Sequence, residues 1–318
     1  FSIDISLNQS GFPYDTNSEV KSSPIVIDFN NDGDNEIIFG DNVGLVHVLD
    51  QNGIPFSSTI FPYDTGNQIW GSPAAGYIDA DENIDIVITS KSKHLYVFDY
   101  EGLKLDYNAN QYLIGTPALG NLDDDDDLEI VFTSYSNDAK VFAINIDGTN
   151  VNGFPVLLDE KMQKGVALSD FDGNGKDDIV VGTDSDNVIL IKDDGSIVFS
   201  YQTEDKVRSA PIVVDGGNGK MIFVGSKDGH FYAINGSGDL IFDFVDPLSN
   251  SPIYSSPTIL EVNENIMIFF GNNEGKIYAI NPHDDGSLYE GYPIDPEEQG
   301  LLLSFNSFIS LFFSFFNR

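Results

Sequence analysis

Residues 24–50 read PIVIDFNNDGDNEIIFGDNVGLVHVLD. An apolar segment opened by Pro24 runs into an acidic loop, Asp28-Phe-Asn-Asn-Asp-Gly-Asp-Asn-Glu36. A second apolar segment, Glu36-Ile-Ile-Phe-Gly40, is followed by a Gly-containing turn and the alternating Val46-His-Val-Leu-Asp50. Short β-branched and aromatic runs bounded by Gly, Asn and Asp predict strands, not helices. The stretch is therefore strand, acidic loop, strand, turn, strand.

Versions of it recur along the chain. The residues that open each first strand are Pro24, Pro73, Pro117, Val166, Pro211 and Pro257, at intervals of 49, 44, 49, 45 and 46. The Gly of a later hairpin keeps nearly the same period, at Gly53, Gly102, Gly148, Gly195, Gly238 and Gly286. Between these markers lie second strands such as Asp85-Ile-Val-Ile-Thr89 and third strands such as Leu95-Tyr-Val-Phe-Asp99. An outer strand with a Gly-Phe/Tyr-Pro ending, as in Gly153-Phe-Pro155 and Gly291-Tyr-Pro293, closes the unit. Four short antiparallel strands every ~40–50 residues are the signature of a propeller blade. The predicted fold class is all-β: a β-propeller of four-stranded antiparallel blades, six repeats visible, in a ring of six or seven. Small pairs before the strand openers (Ser22-Ser23, Gly71-Ser72, Gly115-Thr116, Ser255-Ser256) suit a first strand on the crowded central channel.

Residues 1–21 match only an outer strand and crossover, which either close the ring or begin a seventh blade. Residues 22–299 hold the six blades. Residues 300–318 form a hydrophobic tail that abandons the repeat. Its apolar run, interrupted by Asn306, is shorter than the ~20 residues a spanning helix needs. A strand of an incomplete blade and a membrane-touching tail both fit it, and membrane contact is expected nowhere else. The start at Phe1, with no basic leader region, reads as a mature product or a fragment.

Fifteen basic residues stand against 51 acidic ones, a formal net charge of −36. Such a surface repels phosphate backbones, so nucleic acid is excluded as a partner. The absence of cysteine removes disulfide and thiol chemistry.

The acid is concentrated in the loops between first and second strands. Numbered from four residues after the strand opener, the first blade offers Asp28, Asn30, Asp32, Asp34 and Glu36 at positions 1, 3, 5, 7 and 9, with Gly33 at 6. The fourth offers Asp170, Asp172, Asn174, Lys176 and Asp178, with Gly175 at the turn. Alternate oxygens on a tight turn suit Ca²⁺, which takes six or seven oxygen ligands, and position 7 serves through its carbonyl. An EF-hand would need a carboxylate at position 12 and flanking helices, whereas Phe39 and Val181 stand there between strands. The third blade supplies Asn121, Asp123, Asp125, Asp127 and Glu129. The second begins with Tyr77 and keeps Asp79, Asp81, Asn83 and Asp85, which leaves its binding of metal open. The fifth and sixth loops are shorter and are expected to hold no ion. The expected cofactor is Ca²⁺, two to four ions, coupling loop folding to metal. Ordinary Asx turns are the alternative.

With its acidic loop, the unit from Ser22 to Gly40 resembles the FG-GAP (VCBS-type) repeat of integrin α-chain propellers and of secreted bacterial proteins. The resemblance covers residues 22–293. It implies a calcium-stabilised, secreted or cell-surface propeller serving adhesion or recognition of a protein or glycan ligand. The fifth and sixth blades, with Phe231-Tyr-Ala-Ile-Asn235 and Ile277-Tyr-Ala-Ile-Asn281, are instead similar to quinoprotein-type propeller repeats. Those carry a Trp-containing docking pattern in each blade; Trp70 is the one Trp here, which argues against a quinone.

No His-Glu-x-x-His, Gly-x-Ser-x-Gly or Walker loop occurs, and His47, His94, His230 and His283 sit in separate blades. Two functional classes remain: a non-catalytic binding module, and the propeller of a carbohydrate-active enzyme such as a polysaccharide lyase. Lyases acting on acidic sugars need Lys or Arg. The scarcity of both, and of any basic–aromatic cluster in the sequence, favours the binding module.

Overall fold

The computed structural model describes residues 11–56, 60–125, 127–217, 219–262, 265–283 and 285–295. The described residues form strands and no helix, in two compact units, Phe1–Asp159 and Glu160–Arg318.

The first unit contains three antiparallel four-stranded sheets. The first is β1 (Ile25–Ile27), β2 (Glu36–Gly40), β3 (Leu45–Leu49) and β4 (Tyr63–Asp64). The second is β5 (Ala74–Gly76), β6 (Asp85–Thr89), β7 (His94–Phe98) and β8 (Leu103–Asn108). The third is β9 (Ala118–Gly120), β10 (Glu129–Thr133), β11 (Lys140–Ile144) and β12 (Val156–Leu157). In the second unit, β13 (Ala167–Ser169), β14 (Asp178–Gly182), β15 (Asn187–Ile191) and β16 (Ile197–Gln202) make the fourth sheet. The fifth is β17 (Ile212–Asp215), β18 (Lys220–Gly225), β19 (His230–Asn235) and β20 (Leu240–Val245). The sixth is β21 (Thr258–Val262), β22 (Asn265–Gly271) and β23 (Ile277–Ile280). Each sheet is a simple meander, as the repeat predicts.

The outer strands differ from the uniform expectation. In the second, fourth and fifth sheets they are six residues long, each with a register shift near its start. In the first and third they shrink to two residues. In the sixth, two isolated bridges, Ile277 to Ile294 and Ile280 to Leu288, stand in for a fourth strand. The short-edged sheets are those whose outer segment contains Phe61-Pro62, Phe154-Pro155 or Tyr292-Pro293, all cis. Proline has no N–H to give a ladder, so regular pairing stops beside it.

Second strands such as Ile86-Val87-Ile88 are wholly buried, which explains their continuous apolar character. Their two faces serve different cores. Ile38, Val46 and Val48 of the first sheet pack with Ile86, Ile88 and Phe98 of the second. Val87, Leu95 and Val97 pack with Ile130, Phe132 and Phe142 of the third. In the second unit Val180, Val188 and Leu190 meet Ile222, Val224 and Tyr232. Phe223 and Phe231 meet Ile268, Phe270 and Tyr278.

Backbone bonds repeat with the same period. The Asn42 N–H donates to the Glu19 carbonyl (2.8 Å), and each later crossover receives an equivalent bond, as from Lys91 to Gln68 and from Asp184 to Lys161. Residues 11–21 thus join the first sheet as a blade's crossover joins the next blade. The small residues before the strand openers stitch neighbours together. Ser23 N–H donates to Ser72 Oγ (2.9 Å) and Ser72 N–H to Thr116 Oγ1 (3.0 Å). Residues 1–10 and the tail of residues 300–318 lie outside the described residues.

Candidate metal centre

The four acidic loops share one backbone design. The position-5 N–H donates to the position-3 side chain: Asp32 to Asn30, Asp81 to Asp79, Asp125 to Asp123 and Asn174 to Asp172. The position-7 N–H then donates to the position-5 side chain: Asp34 to Asp32, Asn83 to Asp81, Asp127 to Asp125 and Lys176 to Asn174. These are consecutive Asx turns, the local alternative to regular pairing that Asn and Asp favour. Position 1 caps the bend: Asp28 accepts from the Asp32 and Gly33 N–H groups, and Asp170 from those of Gly173, Asn174 and Gly175.

Position 9 is different in kind. Glu36, Asp85, Glu129 and Asp178 begin their second strands and are all but fully buried. Each accepts the N–H of the position-2 residue, Phe29, Ile78, Leu122 or Phe171. In the first three loops the position-2 side chain is buried and draws the carboxylate under the loop. Burial pushes all four carboxyls up, Glu129 to about 7.

The loops part ways in how they meet a cation. In the third, carboxylate oxygens of Asp123, Asp125 and Glu129 lie within 4.8 Å of one another, and in the fourth those of Asp170, Asp172 and Asp178 do so. Hard oxygens so grouped, one buried and shifted towards the acid form, are a donor set that Ca²⁺ fits. In the second loop an ammonium already stands at the focus. Lys104 Nζ on β8 lies 2.7 Å from Asp79, 2.9 Å from Asp81 and 3.0 Å from Asp85. In the fourth, Lys192 Nζ reaches Asp172 at 2.6 Å and leaves Asp170 and Asp178 to the loop. Neither lysine announces itself in the loop's own sequence, because Lys104 comes from β8 and Lys192 from just after β15; the cue is a lysine soon after the third strand of an acidic-loop blade.

Glu129 carries a pH dependence. Its folded value near 7 lies above its ordinary value, so the folded state holds the proton more tightly. The stability it contributes is present in full below the unfolded value and is lost as pH rises through about 7. In EDTA the urea midpoint is expected to fall over this window, and Glu129→Gln to flatten the fall.

Three of the four histidines are engaged within their own sheets. His47 Nε2 lies 3.1 Å from buried Asp41 and its ring stacks on Phe39. His94 pairs with Asp106, and His230 Nδ1 with Asp243 at 2.7 Å. The expectation of no basic–aromatic cluster is corrected by the fold. Lys21 and Lys91 Nζ stand 4.2 and 3.8 Å from the Trp70 ring centroid, brought together from two crossovers and a hairpin.

A family model described as outer membrane protein assembly factor BamB matches residues 129–301. No curated protein matches the chain. Among solved structures, BBS1N in complex with ARL6DN is similar at 10% identity and a TM-score of 0.62, over 86% of this chain and 82% of that one. BamB from Moraxella catarrhalis is similar at 17% identity and a TM-score of 0.52, over 81% and 68%. The V. cholerae biofilm matrix protein Bap1 is similar at 18% identity and a TM-score of 0.55, over 85% of this chain and 52% of that one. With the meander sheets, these likenesses show a β-propeller. They also correct the FG-GAP (VCBS-type), integrin α-like reading, since the matching family is another one. The acidic loops carried that reading, and consecutive Asx turns are a local hairpin solution open to unrelated propellers. The match spans the fifth and sixth blades, where the quinoprotein-type resemblance lay.

Proposed function

The chain belongs to the family of the outer membrane protein assembly factor BamB, and from that premise we propose a non-catalytic recognition propeller that docks a protein partner outside the cytoplasm. The observation that carries it is how the reactive side chains are used. His47, His94 and His230 are each tied to an aspartate of their own sheet, and Arg208 to Asp184 by two bonds of 2.7 Å. What remains is a rigid frame that displays hairpins and crossovers. A BamB-like family, named for assembly, supports a protein rather than a glycan as ligand. The fold neighbours that support this reading are one solved with a protein, ARL6DN, and one described as a biofilm matrix protein. Turnover is the test: unsaturated products released from a panel of uronate polysaccharides would overturn the non-catalytic reading.

Calcium belongs to the same reading, held by Asp123, Asp125 and Glu129 and by Asp170, Asp172 and Asp178. Its role is to neutralise carboxylates that otherwise repel one another within one turn. A ligand at one hundred times its Kd adds about 2.7 kcal/mol per site, worth roughly 5 °C in Tm for a chain of this size. Melting in 1 mM CaCl2 against EDTA is expected to show at least that rise. An unchanged Tm sinks the calcium assignment.

A further inference from the structure

Trp70 is the one tryptophan of the chain and lies in the crossover from the first sheet to the second. Its indole N–H donates to Asn42 Oδ1 at 3.0 Å, which pins the ring to the hairpin between β2 and β3. Two ammonium groups stand over that ring: Lys91 Nζ at 3.8 Å from the centroid and Lys21 Nζ at 4.2 Å. Lys91 also donates to Gln68 Oε1 at 2.7 Å, and Lys21 reaches the exposed Glu19 at 3.5 Å. Burial, and then the charge of Lys21, lower the pKa of Lys91. In the same hairpin, Lys93 Nζ lies 5.5 Å from the Tyr112 ring.

This placement is unusual for a chain with 51 acidic residues. An ammonium gains more from a carboxylate than from an indole, yet two like charges share a neutral ring here. The first unit has five basic residues, Lys21, Lys91, Lys93, Lys104 and Lys140. All but Lys104 stand at the blade end where second strands turn into third and crossovers enter. Lys104 is at the opposite end, consumed by Asp79, Asp81 and Asp85. In the first unit the acidic loops thus lie at one blade end and four of the five lysines at the other, three of them against aromatic rings.

We propose that the Lys21–Trp70–Lys91 cluster, with Lys93 beside it, is the docking site for an acidic peptide segment of a protein partner. Ammonium donors already occupy the indole face, so the cluster offers charge and N–H donors, and not an open ring for a sugar to stack on. A short carboxylate-bearing segment offers Lys91 a charged partner in place of the neutral Gln68 amide and competes with Glu19 for Lys21. The chain's overall negative charge opposes it only weakly beyond the screening length of about 8–10 Å. This assignment rests on the recognition reading and names its partner's chemistry.

Because Trp70 is alone in the chain, its emission reports on the site directly. The full chain is titrated with a hexa-aspartate peptide, and emission is followed at 50 and 300 mM NaCl. Saturable change is expected, with affinity falling at least fivefold at the higher salt. Lys21→Met and Lys91→Met are each expected to weaken binding at least fivefold, and Lys140→Met to leave it within twofold. Trp70→Phe loses the signal, so its affinity is read from the anisotropy of labelled peptide. Melting curves of the Lys variants that overlay the parent exclude unfolding as the cause. No saturable change, or equal affinity in the Lys21→Met/Lys91→Met double variant, overturns the site. Tighter binding of an oligogalacturonate of equal charge overturns the peptide assignment. Either failure is separate from that of the recognition reading, which is decided by turnover of polysaccharide.

Discussion

Phe270→Ala is expected to cost about 3–5 kcal/mol, the range for emptying a buried aromatic site. Phe270 is fully buried on β22, between the fifth and sixth sheets. Its ring stacks on Phe231 at a centroid distance of 3.9 Å and on Tyr278 at 5.1 Å, and Phe244 meets it edge-on at 5.7 Å. Truncation removes all three aromatic contacts at once. Because they join two sheets, little backbone movement can close the void without breaking a ladder. Urea denaturation of the full chain measures the loss. A shift below about 1 kcal/mol would mean that the two sheets do not share this core. Val26→Ala, on a side chain 63% exposed, is the contrast and should stay within about 0.5 kcal/mol.

Lys104→Met is expected to cost about 3 kcal/mol, at the lower end for a broken buried ion pair because Asp79 and Asp81 keep some solvent. Burial alone would lower the Lys104 pKa, but the bonds to Asp79, Asp81 and Asp85 outweigh it and raise it. Asp85 is fully buried and raised by desolvation even with that ammonium beside it. Removing the cation leaves three carboxylates facing one another around an apolar stem. The variant should therefore recover part of its Tm in millimolar Ca²⁺, by more than the parent gains. A Met variant that melts like the parent and ignores calcium would show that the three aspartates need no counter-charge.

The blades were legible because a sheet in a meander is specified locally. Alternation in Val46-His-Val-Leu-Asp50 and the continuous apolar run Asp85-Ile-Val-Ile-Thr89 announce a strand and its burial within five residues. The Asx turns were equally legible, since the Asn30 and Asp32 side chains accept the backbone N–H groups of Asp32 and Asp34, two residues on. Family membership was not, because those same turns carry the FG-GAP resemblance while the family match follows residues 129–301.

The sequence by itself determined the all-β class, the six repeats, the strand-loop-strand order and the acidic character of the loops from Asp28, Tyr77, Asn121 and Asp170. Each of these depends on contacts between near neighbours in the chain. Tertiary structure alone decided what neutralises the charges. Lys104 meets Asp79 across 25 residues, and Lys91 from a hairpin and Lys21 from a crossover meet over Trp70. A long flexible stem lets a lysine spend its charge up to ~6 Å from its backbone. Only the packing of one sheet against the next fixes whether it ends on a carboxylate or on an indole.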